Sequence, residues 1–258
     1  HLDRVADIAE ADRLPKKARK KLSKVAAEFA PINTSPRKLK RNKSFRCKLL
    51  WLNKIYDAGR SAEREADFTA FREREGEGLI RFATWCALAE HYGPRTDDWP
   101  DRLGKPKKLA RAIAKRADRI DFHCWLQWIC DQQLAAAGTA ATDSGMAIGV
   151  IADLAVGVNR TGADAWVLKD ALAQGVSVGA PPDGFNQQGQ DWSQPPWHPQ
   201  RLAEAGYTPY RDMLRTILRH AGGVRVDHIL GLFRLWWIPD GNPPSGGAYV
   251  RYDHNALI

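Results

Sequence analysis

The segment Val224-Arg225-Val226-Asp227 carries the most pointed chemistry of this 258-residue chain. Side chains alternate along an extended strand, so Arg225 and Asp227 fall on one face, about 7 Å apart. A guanidinium that close favours the ionised carboxylate, which suits a group that attacks an electrophile rather than one that donates a proton. A plain ion pair at a strand end would use the same two residues without catalysis. A second acid, Asp153, closes the apolar run Met146–Asp153 (MAIGVIAD). Both aspartates end short β-rich runs, the place where parallel barrels build their active sites.

Between these runs lies Gly179-Ala180-Pro181-Pro182-Asp183-Gly184-Phe185, then Gln190-Asp191-Trp192 and Pro195-Pro196-Trp197. Carboxylates and amides bond sugar hydroxyls, and an indole packs on the apolar face of a pyranose, so this loop has the composition of a sugar site. A proline-rich surface loop with its Trp folded inward is the plainer alternative. The later run Phe233–Pro239 is almost wholly apolar and is expected to be core.

The elements that must hold these residues change character along the chain. The first half is helical. Leu14, Ala18, Leu22, Val25, Ala26 and Phe29 recur at spacings of three and four after Pro15, and a second helix is predicted over about Ser35–Asp57. Ser61 caps a helix over Ala62–Glu75, and another runs Leu79–Tyr92 to Gly93-Pro94. Pro94–Lys108 is expected to be a loop. Phe122, Trp125, Leu126, Ile129 and Cys130 belong to a buried helix. Met146–Asp153 reads as a parallel strand covered on both faces, and Gly223–Asp227 as a second strand. An amphipathic helix with Tyr210, Met213, Leu214, Ile217, Leu218 and Ala221 lies between them. Strand, crossover helix, strand is a βαβ order and implies a parallel sheet or barrel. Two or three such strands are too few to close a (β/α)8 barrel. The expected fold is α/β, an incomplete (β/α)8 barrel with a large helical insertion: residues 1–120 form the insertion, and 121–258 form part of the barrel.

The net charge of +9 divides unevenly. Residues 1–120 hold 30 Lys and Arg against 17 Asp and Glu, residues 121–258 hold 9 against 13, and Glu204 is the only Glu of the second part. Any case for a nucleic-acid partner therefore rests on the first half, chiefly on Arg37-Lys38-Leu39-Lys40-Arg41-Asn42-Lys43 with Arg46 and Lys48. Aromatic residues for base stacking are sparse there, so a solvated helix face is the preferred reading and no nucleic-acid partner is expected. No apolar run of about eighteen residues occurs, so no membrane span is expected. Cys47, Cys86, Cys124 and Cys130 show no metal-ligand spacing and read as reduced, buried cysteines of a cytoplasmic protein. The sequence starts at His1 and stops at Ala256-Leu257-Ile258, where a helix would begin, so it is expected to be part of a longer chain.

IADLAVGV (151–158), GAPPDGFNQQGQDW (179–192), PPW (195–197), GGVRVDHILGLFRLWWIP (222–239) and GAYVRYD (247–253) together resemble the amylomaltases, bacterial 4-α-glucanotransferases. EGEGLIRFATWCALAEHYG (75–93) looks like the helical insertion of that family, whereas the first 60 residues resemble it weakly. The resemblance implies that Asp227 is the catalytic nucleophile and Arg225 its partner, with His228 near the donor sugar. It also makes Asp153 a sugar contact, and places Asp183, Gln190 and Trp192 in a mobile loop over the bound glucan. Ser193 stands where the family usually has Gly, and Ile151-Ala152 precede Asp153 where a polar residue or Gly is common. The implied activity is transfer of α-1,4-glucan segments to acceptor glucans by a retaining double displacement, on maltooligosaccharides and longer chains, with no cofactor or metal. The family's general acid/base Glu follows the nucleophile, but no Glu occurs after Asp227 here, so this sequence by itself is expected to be inactive. A hydrolase on the same barrel, or a basic nucleic-acid-binding helical protein, are the alternatives.

Overall fold

A computed structural model of the chain describes residues 3–37 and 40–258. Of the basic run singled out above, Lys38 and its neighbour Leu39 therefore lie outside the described residues. The fold is mixed α/β and mostly helical, and it divides into two compact units. One comprises the described residues up to Leu79 together with Asp118–Cys130; the other comprises Ile80–Ala117 and Asp131–Ile258. A boundary at residue 120 falls inside a helix, since α1 (Asp3–Ala6), α2 (Lys16–Asn33), α3 (Arg41–Asp57), α4 (Ala62–Tyr92), α5 (Pro106–Ala114) and α6 (Ala117–Asp143) follow one another without a strand.

In the first unit, Pro15 precedes α2, and Leu14 and Leu22 are buried as the spacing predicts. Helix α3 is shorter than Ser35–Asp57: residues 34–37 are bends and irregular chain, and the helix begins at Arg41. Pro36 disfavours helical geometry at Ser35, which moves the start toward the C-terminus. Ser61 does cap α4, its Oγ accepting the Arg64 amide at 3.2 Å. The two helices expected over 62–75 and 79–92 meet at Gly76, whose φ of 60° and ψ of −144° break an otherwise continuous run. A Cβ there would touch nothing within 4 Å, so the backbone conformation and not space calls for glycine.

Ile55, Phe68, Phe122 and Trp125 form the centre of this unit, with Tyr56 edge-on to Phe122 at 5.3 Å. Glu10 is fully buried and is held by Arg64 at 2.8 Å, whose guanidinium lies 3.9 Å from the Trp128 ring centre. Removing the cation would strand a buried carboxylate. Arg64→Ala should therefore lower unfolding stability by about 3 kcal/mol, read from a urea titration; a loss below about 0.5 kcal/mol, the ordinary range of a surface change, would contradict this account of the core.

Of the four cysteines only Cys124 is buried. Cys47 and Cys86 are half-buried and Cys130 is exposed, which corrects the expectation that all four are interior. Cys130 follows the buried Ile129 by about 100° of helix rotation, enough to leave the core face. Burial pushes the Cys124 thiol up to about 11, so it stays protonated.

In the second unit, Pro94–Lys108 is not the open loop expected. It contains two 3₁₀ turns (Thr96–Asp98 and Asp101–Gly104), and α5 starts at Pro106, where the missing N–H costs nothing at a first helical turn. Trp99 and Leu103 are buried there with Leu88 and Ala112.

Six strands follow: β1 (Ile151–Leu154), β2 (Val176–Ala180), β3 (Gln190–Gln194), β4 (Gly223–Val226), β5 (Arg234–Pro239) and β6 (Ala248–Arg251). β1 and β4 pair in parallel as predicted, with Asp153 opposite Arg225. The crossover helix is α9 (Thr208–Leu218), preceded by the short α7 (Ala163–Val167) and α8 (Pro199–Glu204); Tyr210 is buried and Met213 and Leu214 pack on the core, whereas Ala221 lies past its end. The strand at 146–153 is shorter than expected and uncovered: Met146, Ile148 and Ile151 are 57%, 60% and 56% exposed. The parallel sheet has two strands among the described residues; α9 packs on it and Leu154 is buried, but Ile151 and the residues before it stay in solvent.

β2, β3, β5 and β6 form an antiparallel sheet in the order β3-β2-β5-β6 that the sequence reading lacks. Gln190 and Trp192 thereby stand on a strand, not on the loop assigned to them. Leu235 and Ile238 of β5 are buried, in keeping with a core role for that run. A terminal helix, α10 (His254–Leu257), is capped by the Asp253 carboxylate.

Candidate active site

Asp227 is the first residue beyond β4 and Asp153 lies in the last half of β1, so the parallel pairing sets both acids at the same C-terminal sheet edge. Arg225 sits between them. Its Nη1 donates to Asp153 Oδ1 at 3.1 Å, while its Nη2 lies 3.9 Å from Asp227 Oδ1. The partner that takes the direct hydrogen bond is thus Asp153 on the neighbouring strand, not Asp227 two residues on. All three side chains are more than 60% exposed, so water screens the cluster and its contribution to stability is small. Asp227 Oδ1 also accepts the His228 amide at 3.0 Å, while Oδ2 receives no hydrogen bond.

His228 is held in the left-handed region at φ 53°, ψ 54°, and a 3₁₀ turn (Ile229–Leu232) follows. Its ring meets Trp192 edge-on, 5.0 Å between centres at 88°. The Trp192 Nε1–H donates to Gln190 Oε1 at 2.9 Å. Five of the six residues singled out from the sequence beside Asp227 thus form one chain of contacts with it: Asp153, Arg225, His228, Trp192 and Gln190. Asp183 does not join them. Its Oδ1 accepts the amides of Phe185 and Asn186 at 2.8 and 2.6 Å, fixing the turn between β2 and β3, with the Phe185 side chain wholly in solvent.

Asp191 and Ser177 were not singled out, yet they meet across the β2–β3 pair: the Ser177 hydroxyl donates to Asp191 Oδ1 at 2.7 Å. The one sequence signal is a lone hydroxyl in the apolar run Val176-Ser177-Val178. Behind Asp227 and His228 opens a cavity of about 110 Å³ with mainly apolar walls, among them Val156, Trp197, Tyr210, Met213 and Leu232. Asp227 is the only carboxylate that lines it. Among the described residues no group of three or more His, Cys, Asp or Glu could hold a metal ion.

An exposed Arg-bridged pair of aspartates at the end of parallel strands, with the Trp192 indole against the adjacent His228, is an arrangement that can bond sugar hydroxyls. Comparison with known proteins gives the family. The 4-alpha-glucanotransferase family model matches residues 2–258, and the chain belongs to that family. It is 52% identical over 259 residues to the 4-alpha-glucanotransferase of Mycobacterium tuberculosis H37Rv, covering 99% of this chain and 35% of that one. It is 43% identical over 206 residues to the Haemophilus influenzae 4-alpha-glucanotransferase, covering 76% and 30%. The fold matches the crystal structure of amylomaltase from Corynebacterium glutamicum with a TM-score of 0.85 at 52% identity, over 97% of this chain and 34% of that one. An amylomaltase from Streptococcus agalactiae, in complex with acarbose, shares the fold at TM-score 0.82 and 18% identity, over 100% and 52%. The chain spans about a third of the length of the curated relatives it matches.

Proposed function

We propose that this chain carries the nucleophile half of a 4-α-glucanotransferase active site, acting on α-1,4-glucans and maltooligosaccharides. The observation that carries the proposal is the position of Asp227: an exposed carboxylate at a strand end, beside Arg225, with its Oδ2 uncommitted. Oδ2 attacks the anomeric carbon, the bond from that carbon to the leaving O4 breaks, and O4 takes a proton from a second carboxyl group. That acid lies in sequence that the relatives have outside the matched third. The 4-hydroxyl of an acceptor glucan then attacks the glycosyl-enzyme and returns its proton to the same carboxylate, releasing Asp227 with the anomeric configuration retained.

Arg225 fixes the two aspartates relative to each other, Asp153 bonds a sugar hydroxyl, and His228 borders the donor sugar. Gln190 and Trp192 serve the acceptor side, and Asp183 holds the hairpin turn that overhangs it. The parent fold is a (β/α)8 barrel, incomplete over these residues, in which 1–120 is the helical insertion and 121–258 supplies the nucleophile strand. The exposed Met146, Ile148 and Ile151, before and at the start of β1, support this, since a parallel strand of a barrel is covered on both faces. Cys47, Cys124 and Cys130, none in a disulfide, fit a reducing, cytoplasmic setting. Among the described residues no helix is long and apolar enough to cross a membrane.

The acceptor assignment has its own test. Trp192→Ala in the full-length enzyme should raise the acceptor KM and increase the share of hydrolysis, because the space left by the indole admits water. An unchanged ratio of transfer to hydrolysis would remove Trp192 from the acceptor side.

A further inference from the structure

We infer that Asp191 and Ser177 are positioning residues for Trp192, acting through the backbone of Ser193. The inference rests on the reading of Trp192 as an acceptor-side residue.

The pairing of β2 with β3 is interrupted. Val178 faces Gln194, but the next residue, Gly179, faces Asp191, so Trp192 and Ser193 are left without opposite residues. Such a bulge re-aims a side chain out of the ladder, and here it turns the Trp192 indole onto His228. Two features of the chain make the bulge possible. Gly179 leaves room for it, since a Cβ there would collide with the Gln190 carbonyl oxygen. Ser193 bends it, with φ at 55°, a conformation that L side chains disfavour.

Something must hold Ser193 there, because serine gains nothing from that region by itself. Asp191 Oδ1 does so, accepting the Ser193 amide at 2.7 Å. The same oxygen is held by the Ser177 hydroxyl at 2.7 Å, and Ser177 is anchored in mid-sheet, 2% exposed and opposite Ile238 of β5. The line of force runs from the buried sheet through Ser177 and Asp191 to Ser193, and so to the direction of the Trp192 side chain. Neither Ser177 nor Asp191 needs to touch a glucan for this.

The test uses the full-length enzyme and separates acceptor KM from the rate with water as acceptor. Asp191→Ala should raise the acceptor KM about tenfold, the loss expected when hydrogen bonds to a charged group are removed, and leave hydrolytic kcat nearly unchanged. Asp191→Asn keeps an acceptor oxygen and should stay near the parent value. Ser193→Gly alone should also leave the KM unchanged. Added to Asp191→Ala, it should restore the KM to within about threefold of the parent, since glycine enters positive φ without help. A merely structural loss would not be rescued by that second change. If Asp191→Ala does not fold, Ser177→Ala with and without Ser193→Gly reads the same coupling, with a smaller rise in KM. The inference is overturned if Trp192→Ala raises the acceptor KM while neither Asp191→Ala nor Ser177→Ala does, or if Ser193→Gly gives no rescue. If Trp192→Ala itself leaves the acceptor KM unchanged, it is the acceptor reading that fails.

Discussion

Asp227→Asn in the full-length enzyme should lower disproportionation of maltotriose by several powers of ten, with the circular-dichroism spectrum and melting temperature unchanged. The size of the loss follows from the role: without a covalent nucleophile the double displacement has no first step, an effect far beyond any packing change. The intact fold follows from the surroundings. Asp227 is 64% exposed, and its one close hydrogen bond, from the His228 amide to Oδ1, can be accepted equally by the amide oxygen of Asn. The Arg225 contact at 3.9 Å is screened by water, so its weakening should cost less than about 1 kcal/mol. Near-normal transfer by a correctly folded variant would remove Asp227 from the nucleophile position.

Residues 1–258 by themselves should release neither glucose nor longer maltodextrins from maltotriose. A retaining site needs a second carboxyl group about 5–5.5 Å from the first, across the scissile bond. Asp153 is read as a sugar contact and not as this acid, its Oδ1 being engaged by the Arg225 guanidinium at 3.1 Å. The only Glu of residues 121–258 is Glu204, which ends α8 and accepts a hydrogen bond from Gln200 at 3.0 Å. The exposed Met146, Ile148 and Ile151 should also drive self-association of this fragment. Activity that survives re-purification and disappears in Asp227→Asn would show that these residues already contain the acid.

The parallel pair and its two aspartates were legible because local signals and global fold agree: β-rich runs ending in Asp, separated by an amphipathic helix. The helix break at Gly76 and the Ser61 cap were legible for the same reason, since each is decided within a turn of chain. The antiparallel sheet was not. Gln190–Gln194 is polar and short, and its strand character comes from pairing with Val176–Ala180 across a proline-rich turn, a non-local contact that no period announces. The cover of Met146–Asp153 was misjudged because an apolar run reports what could pack on it, not what does. The link from Arg225 to Asp153 was missed for a related reason: alternation within one strand is visible in sequence, whereas the cross-strand register that sets Arg225 opposite Asp153 is not. Asp191 and Ser177 belong to the same class, joined by a hydrogen bond across fourteen residues.

The central claim is that a glycosyl group passes through Asp227. Incubating the full-length enzyme with an activated α-maltosyl fluoride, quenching in acid and digesting with protease should give a peptide containing Asp227 whose mass is increased by the glycosyl unit. Fragmentation should place the ester on Asp227, and Asp227→Asn should abolish the adduct. Transfer activity accompanied by a glycosyl adduct on a different carboxylate would contradict the account.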